Sequence, residues 1–200
     1  MKIREFNCPN CGKKVNTYGL CKDCDELIDR NPRYYYDIEG LDELIVASTY
    51  SGLMKKLIIQ FKFYEKLSYK DIISEIMTEK LLEKNLSKEV LTYVPMYKIR
   101  ESQRGFNQSK MLAEKIAKNT DMKCEDIFIK TRDTKFQVGL TKKDREKNLK
   151  NSFEVLNKVD EIIIVDDVIT TGSTLRELTK IAKVNGIKKV TALVAATEVA

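Results

Sequence analysis

Glu161-Ile162-Ile163-Ile164-Val165-Asp166-Asp167-Val168-Ile169-Thr170-Thr171-Gly172-Ser173-Thr174 is the stretch whose reading decides the fold. The branched apolar run from Ile162 to Val165 reads as a strand buried on both faces, the pattern of a parallel sheet covered by helices. It ends in two carboxylates and continues through small hydroxyl residues, after which Leu175, Leu178, Ile181 and Ala182 recur at helical spacing. That helix is expected to stop at Asn185-Gly186, before a strand over Lys189 to Val194. Together these pieces form a βαβ unit.

The same alternation extends toward the N-terminus. Leu44 to Ala47 reads as a strand, and two helices follow, carrying Leu53, Leu57, Ile58 and Phe61, then Ile72, Ile73, Ile76, Met77 and Leu81. Val90 to Val94 is a strand closed by Pro95, a helix runs from Asn107 through Leu112, Ala113, Ile116 and Ala117, and Asp126 to Lys130 is a further strand. The polar stretch from Thr131 to Asn151 is a mobile loop or a surface helix around Asp144 to Asn151. The expectation is an α/β domain over 41–200, with a mainly parallel sheet, flanking helices and ligands at the carboxyl ends of its strands. A cysteine module occupies 1–30, and 31–40 is a linker.

Composition narrows the chemistry. A chain of 200 residues with 42% hydrophobic content supports one well-buried core and a small extra module. Lys and Arg number 36 against 30 Asp and Glu, and the formal charge of +6 favours anionic ligands: phosphates, DNA or RNA. Histidine is absent, which excludes Ser-His-Asp and Cys-His catalysis and every His-ligated metal. No run approaches the roughly 20 apolar residues that span a bilayer, so no membrane insertion and a cytoplasmic location are expected.

Each part of the segment after Val165 has a chemical use. Thr170, Thr171, Ser173 and Thr174 offer hydroxyl donors, Gly172 permits close backbone approach, and the helix that follows directs its free amides at the turn. A phosphate monoester fits there. Asp166 and Asp167 accept hydrogen bonds from hydroxyls beside that phosphate, so a ribose 5-phosphate matches the pair of sites in shape. Strand termination and helix capping would explain any one of these residues, but not the whole run.

Cys8-Pro9-Asn10-Cys11 and Cys21-Lys22-Asp23-Cys24 are two thiolate pairs, each spaced so that a tight turn aims both sulfurs at one ion. Four thiolates complete a tetrahedron around a structural Zn²⁺ in a zinc-ribbon module, with four-thiolate iron and a redox pair as the alternatives. Cys124 stands alone near a strand and reads as a small buried hydrophobe.

The Asp166–Thr174 segment is similar to the signature of the type I phosphoribosyltransferases, which bind 5-phosphoribosyl 1-pyrophosphate (PRPP) through such a loop. Val94-Pro95-Met96, the run Arg104-Gly105-Phe106-Asn107-Gln108, Gln137, Arg145, Asn148 and Phe153, taken with the cysteine module, resemble the ComF family of competence-associated proteins along nearly the whole chain. The resemblance implies that Asp166 and Asp167 contact the ribose hydroxyls and that Thr170 to Thr174 hold the 5-phosphate. The turn after Pro95 would face pyrophosphate, with Lys98, Arg100 or Arg104 neutralising it, and Arg145 joins the substrate site on the same pattern. Relatives often have histidine after the Val-Pro pair; here Met96-Tyr97 stands instead, so that residue's role does not transfer.

Two functions follow. One is a Mg²⁺-dependent pentosyltransferase that uses PRPP and an unidentified acceptor. The other is a non-catalytic module that keeps the fold and serves DNA uptake in natural transformation alongside a DNA helicase of the same operon, as the resemblance implies. Direct single-stranded DNA binding is compatible with a zinc ribbon, the basic balance and Tyr34 to Tyr36, while packing between module and domain explains the same tyrosines.

Overall fold

A computed structural model describes residues 6–63, 68–84, 86, 89–133, 149 and 151–198. Its strands are β1 (Phe6–Asn7), β2 (Lys14–Val15), β3 (Glu43–Val46), β4 (Val90–Tyr93), β5 (Phe128–Lys130), β6 (Phe153–Val155), β7 (Glu161–Ile169) and β8 (Lys189–Thr197). Its helices are α1 (Lys22–Asp25), α2 (Gly52–Phe63), α3 (Tyr69–Leu82), α4 (Lys98–Arg104), α5 (Gln108–Thr120) and α6 (Ser173–Val184).

The central sheet has the order β3-β8-β7-β4, and every neighbouring pair in it is parallel. Side chains alternate along each strand, so one strand feeds two cores. Ile163 and Val165 of β7 join Leu57 and Phe61 of α2, Ile73 and Met77 of α3, and Leu112 and Ile116 of α5. Ile162 and Ile164 point the other way, into a core with Leu175 and Leu178 of α6 and with Phe128 and Phe153 of the antiparallel β5-β6 ribbon. The doubly covered sheet expected from the Ile162–Val165 run is present.

β7 is longer than the apolar run alone suggests. Its pairing with β8 continues through Asp166↔Val194 and Val168↔Ala196 to Ile169↔Thr197, so both carboxylates lie inside the strand rather than beyond its end. Backbone hydrogen bonding, not side-chain polarity, sets where a strand stops. α6 ends where expected, with Asn185 as C-cap and Gly186 at φ +89°.

The connections decide where a ligand can sit. The chain leaving β4 passes through α4 into α5, on one face of the sheet, and the chain leaving β7 enters α6, on the other. Adjacent parallel strands whose helices depart to opposite faces open a crevice at their carboxyl ends.

The cysteine module is seated on α2 and α3. Lys56 Nζ donates to Asn10 Oδ1 at 2.8 Å, Tyr69 Oη donates to the Pro9 carbonyl at 3.1 Å, and Tyr18 Oη to the Ser68 carbonyl at 2.8 Å. Cys8, Cys24 and Ile28 belong to the same buried cluster as Leu57 and Phe61. No helix among the described residues is long and apolar enough to cross a membrane.

Candidate functional site

The crevice between the ends of β4 and β7 is a cleft of about 880 Å³. Asp166, Asp167, Thr170, Thr171, Gly172, Ser173 and Thr174 line it, together with Arg100 and Arg104 of α4. Lys98 is exposed and is not among the lining residues. It opens α4, and the wall is formed by residues further along that helix. Gln137, Arg145 and Asn148 lie outside the described residues, as does most of the polar stretch after Thr131.

The hydroxyl turn is built from its glycine. Gly172 has φ +71°, a left-handed conformation that side chains resist, and it caps α6 at its N-terminus. A Cβ at this position would meet Ile38 Cδ1 at 3.2 Å and Tyr36 Cδ1 at 3.5 Å, so the turn is pressed against the segment leading into β3. Tyr36 Oη shares a hydrogen bond with Thr197 Oγ1 at 2.8 Å, which ties that segment to the end of β8. Tyr36 therefore braces the turn, while Tyr35 is 84% exposed. Thr171 Oγ1 and Ser173 Oγ are 2.7 Å apart, both on the cleft wall.

The two carboxylates differ in environment. Asp166 accepts from Ser109 Oγ at 2.8 Å and from the Asp167 amide at 2.9 Å. Burial first, and the neighbouring Asp167 charge second, push its carboxyl up to about 7. Asp167 accepts from the Val168 amide at 2.7 Å and pairs with Lys62 Nζ at 2.9 Å. The Asp167 charge, outweighing burial, raises the Lys62 ammonium above the ordinary lysine value. On the opposite wall, burial and then Arg100 bring Lys130 down to about 8. Arg100 Nε lies 2.5 Å from Asp133 Oδ1, and the Arg104 guanidinium stands over the Phe63 ring at 5.6 Å.

Lys62, Ser109 and Lys130 were not visible as site residues in the sequence. Ser109 directly follows the Arg104–Gln108 run and was within reach of that motif. Lys62 closes an ordinary amphipathic helix, and only the packing of α2 on β7 brings it to the carboxylates. Cys124 is half-buried against the first core with its thiol raised to about 11 by burial, as expected of a small hydrophobe.

At the other end of the chain, the sulfurs of Cys8, Cys11, Cys21 and Cys24 all lie within 4.8 Å of one another. A tetrahedral zinc site with bonds of about 2.3 Å spaces its sulfurs by about 3.8 Å, so the cluster fits a metal ion. The tight turn of the first pair closes at Gly12, with φ +79° and its amide donating to the Cys8 carbonyl at 2.9 Å. Asn10 Nδ2 also donates to Cys24 Sγ at 3.2 Å.

A parallel sheet whose inner strand carries paired carboxylates into a hydroxyl turn and a helix N-terminus puts this chain among the phosphoribosyltransferase-like α/β folds. Comparison with known proteins narrows that class. The chain is 30% identical to competence protein ComFC of Bacillus subtilis, over 87% of this chain and 70% of that protein. It is 27% identical to competence protein F of Haemophilus influenzae, over 94% of this chain and 84% of the relative. It is also 27% identical to DNA utilization protein YhgH of Escherichia coli K12, over 90% and 78%. The chain belongs to the ComF family. No protein-family model matches it. A solved structure, the allosteric regulatory enzyme of purine biosynthesis, aligns with a TM-score of 0.42 and 21% identity over 63% of this chain and 25% of that one.

Proposed function

We propose that the β4–β7 crevice binds PRPP with Mg²⁺ and supports transfer of the phosphoribosyl group to an acceptor, in a protein that serves DNA uptake. The observation that carries this reading is that Asp166 and Asp167 share one cleft with the Thr171–Ser173 turn at the N-terminus of α6. The turn and the helix amides hold a 5-phosphate. The carboxylates accept from vicinal ribose hydroxyls, and Arg100 and Arg104 face the diphosphate. Mg²⁺, which favours one or two carboxylates plus substrate phosphates, supplies charge neutralisation on the diphosphate when bound.

In the transfer, the C1–oxygen bond breaks and its electron pair leaves with diphosphate, while the acceptor's lone pair forms the new bond to C1 and its proton passes to solvent. Asp166 and Asp167 lie where positive charge growing on the ribose ring is stabilised. The cysteine cluster is read as structural zinc, since all four ligand positions are filled by thiolates.

The link to DNA uptake rests on the names of the relatives, two competence proteins and a DNA utilization protein. A second reading, a non-catalytic module that binds single-stranded DNA or a helicase, is favoured by the exposed ring of Tyr35. Calorimetry with PRPP and Mg²⁺ separates the two. Binding to the wild type that is lost in Asp166→Asn/Asp167→Asn supports the transferase reading. A folded, metal-loaded wild type that does not bind PRPP removes it and leaves the second.

A further inference from the structure

Asp29 follows the last cysteine of the metal cluster, Cys24, by five positions. The chain between them is held in tight turns. The Leu27 amide donates to the Cys24 carbonyl at 3.2 Å and the Ile28 amide to the Asp25 carbonyl at 3.0 Å, and Ile28 is buried in the core that holds Cys8 and Cys24. The fold of the second Cys-x-x-Cys pair therefore sets where Asp29 stands.

Two bonds tie Asp29 to Thr49. The Asp29 carbonyl accepts from the Thr49 amide at 3.0 Å, and its carboxylate accepts from the Thr49 hydroxyl at 2.6 Å and from the Asn31 amide at 3.0 Å. Thr49 is buried, lies three residues beyond β3 and bridges in parallel to Thr197 at the end of β8. A bond from a hydroxyl to an ionised carboxylate is stronger than a neutral one. From here the contacts reach the cleft. The Tyr50 amide donates to the Thr197 carbonyl at 2.7 Å, and Tyr50 lines the cleft. Thr197 Oγ1 bonds Tyr36 Oη, and Tyr36 is one of the two side chains against which Gly172 is pressed. Cysteine cluster and hydroxyl turn are thus joined through Asp29, Thr49, Thr197 and Tyr36, a contiguous run of hydrogen bonds and packed side chains of the kind that carries coupling between distant sites.

We propose that Asp29 is a positioning residue that carries the order of the metal-loaded cysteine module through Thr49 to the Thr171–Ser173 turn, so that the affinity of the turn for a phosphate monoester depends on the metal. This rests on the reading of that turn as the phosphate site, but the coupling itself can be tested without a ligand. Such coupling is reciprocal: a phosphate monoester on the turn tightens the hold of the module on its metal by the same factor.

The test is ribose 5-phosphate calorimetry on the full chain without Mg²⁺, so that a chelator acts on the cysteine cluster alone. Wild type, Asp29→Ala and Thr49→Val are compared, each zinc-loaded and after chelation. Thr49→Val keeps the branched shape of threonine and removes only the hydroxyl. Expected is a loss of affinity of about 5-fold or more when the wild type is chelated. Both zinc-loaded variants should show that loss at the outset with zinc content unchanged, and chelation should then weaken them less than it weakens the wild type. Amide exchange at Tyr50 and Arg176, which donate to the Thr197 and Gly172 carbonyls, reads the same coupling without a ligand. It should rise in the chelated wild type and be raised already in both zinc-loaded variants. Equal chelation losses in wild type and variants, or no loss in the wild type, overturns the proposal. If chelation unfolds the chain, the zinc-loaded variants decide, and affinity and exchange equal to the wild type overturn it. A wild type that ignores ribose 5-phosphate removes the phosphate reading instead, and the exchange pattern alone then upholds or overturns the coupling.

Discussion

Lys62 Nζ at the last turn of α2 lies 2.9 Å from Asp167 Oδ2 in the middle of the sheet's carboxyl edge. The pair sets a cation against one of two adjacent carboxylates, while burial first and the neighbouring Asp167 charge second raise the other, Asp166. Lys62→Met removes that cation. Expected is a loss of about 2 kcal/mol of stability, between the value of an exposed pair and that of a fully buried one. The Asp166 carboxyl should also titrate above its wild-type value. Chemical denaturation and carboxyl NMR titration check the two effects. Because the ammonium is raised in the folded state, its contribution is present throughout neutral pH and is lost only as pH climbs through the folded lysine value.

Asp166 works in the opposite sense to a salt-bridged carboxylate. Its folded value is near 7, raised from the ordinary 3.8, so the folded protein binds a proton more tightly than the unfolded chain. Its contribution is fully present below about pH 4 and is lost as pH rises through about 7. The Asp166→Asn variant should show a flatter dependence of stability over pH 4–7, measured as urea midpoints. Asp29 and Asp42 are lowered instead, by the Thr49 hydroxyl for Asp29 and by Lys183 and the Val190 amide against burial for Asp42. Their contribution is lost on acidification below about pH 4, so the two windows separate.

Gly172→Ala tests the turn. A left-handed alanine costs about 1–2 kcal/mol, and its methyl meets Ile38 Cδ1 at 3.2 Å, which a flexible side-chain end can yield to. The expected result is a fold destabilised by that amount, with ribose 5-phosphate affinity reduced about 10-fold or more. Destabilisation with unchanged affinity would take the phosphate away from this turn.

Cys24→Ser tests the metal centre. The thiol is 4% exposed and shares a core with Leu57, so loss of the ion should loosen the contacts of the module with α2 and α3 as well as the module itself. Elemental analysis should find one zinc per wild-type chain and less in the variant, and amide exchange should rise at Lys56 and Tyr69. A metal-free wild type with unchanged protection over 6–30 would rule out a structural ion.

Tyr36→Phe deletes the bond to Thr197 Oγ1 and should cost about 1 kcal/mol without altering metal content. Tyr35→Ala, at an 84% exposed position, should leave stability unchanged, and loss of single-stranded DNA binding in that variant would support the second functional reading.

The amino-acid sequence by itself determined the parallel α/β architecture, the hydroxyl turn after β7 and the four-thiolate cluster, because each depends on residues close together in the chain. A run such as Ile162 to Val165 can be satisfied only between two covered faces, and a Cys-x-x-Cys pair reaches one ion through a single turn. What the tertiary structure alone decided is which distant side chains converge on that turn. Lys62 and Ser109 carry no catalytic pattern of their own, and their arrival at Asp167 and Asp166 depends on how α2 and α5 pack into the core on the Ile163 and Val165 face of β7. The length of β7 was set the same way, since it extends through both carboxylates as far as β8 offers backbone partners, a property of the neighbouring strand and not of the residues themselves.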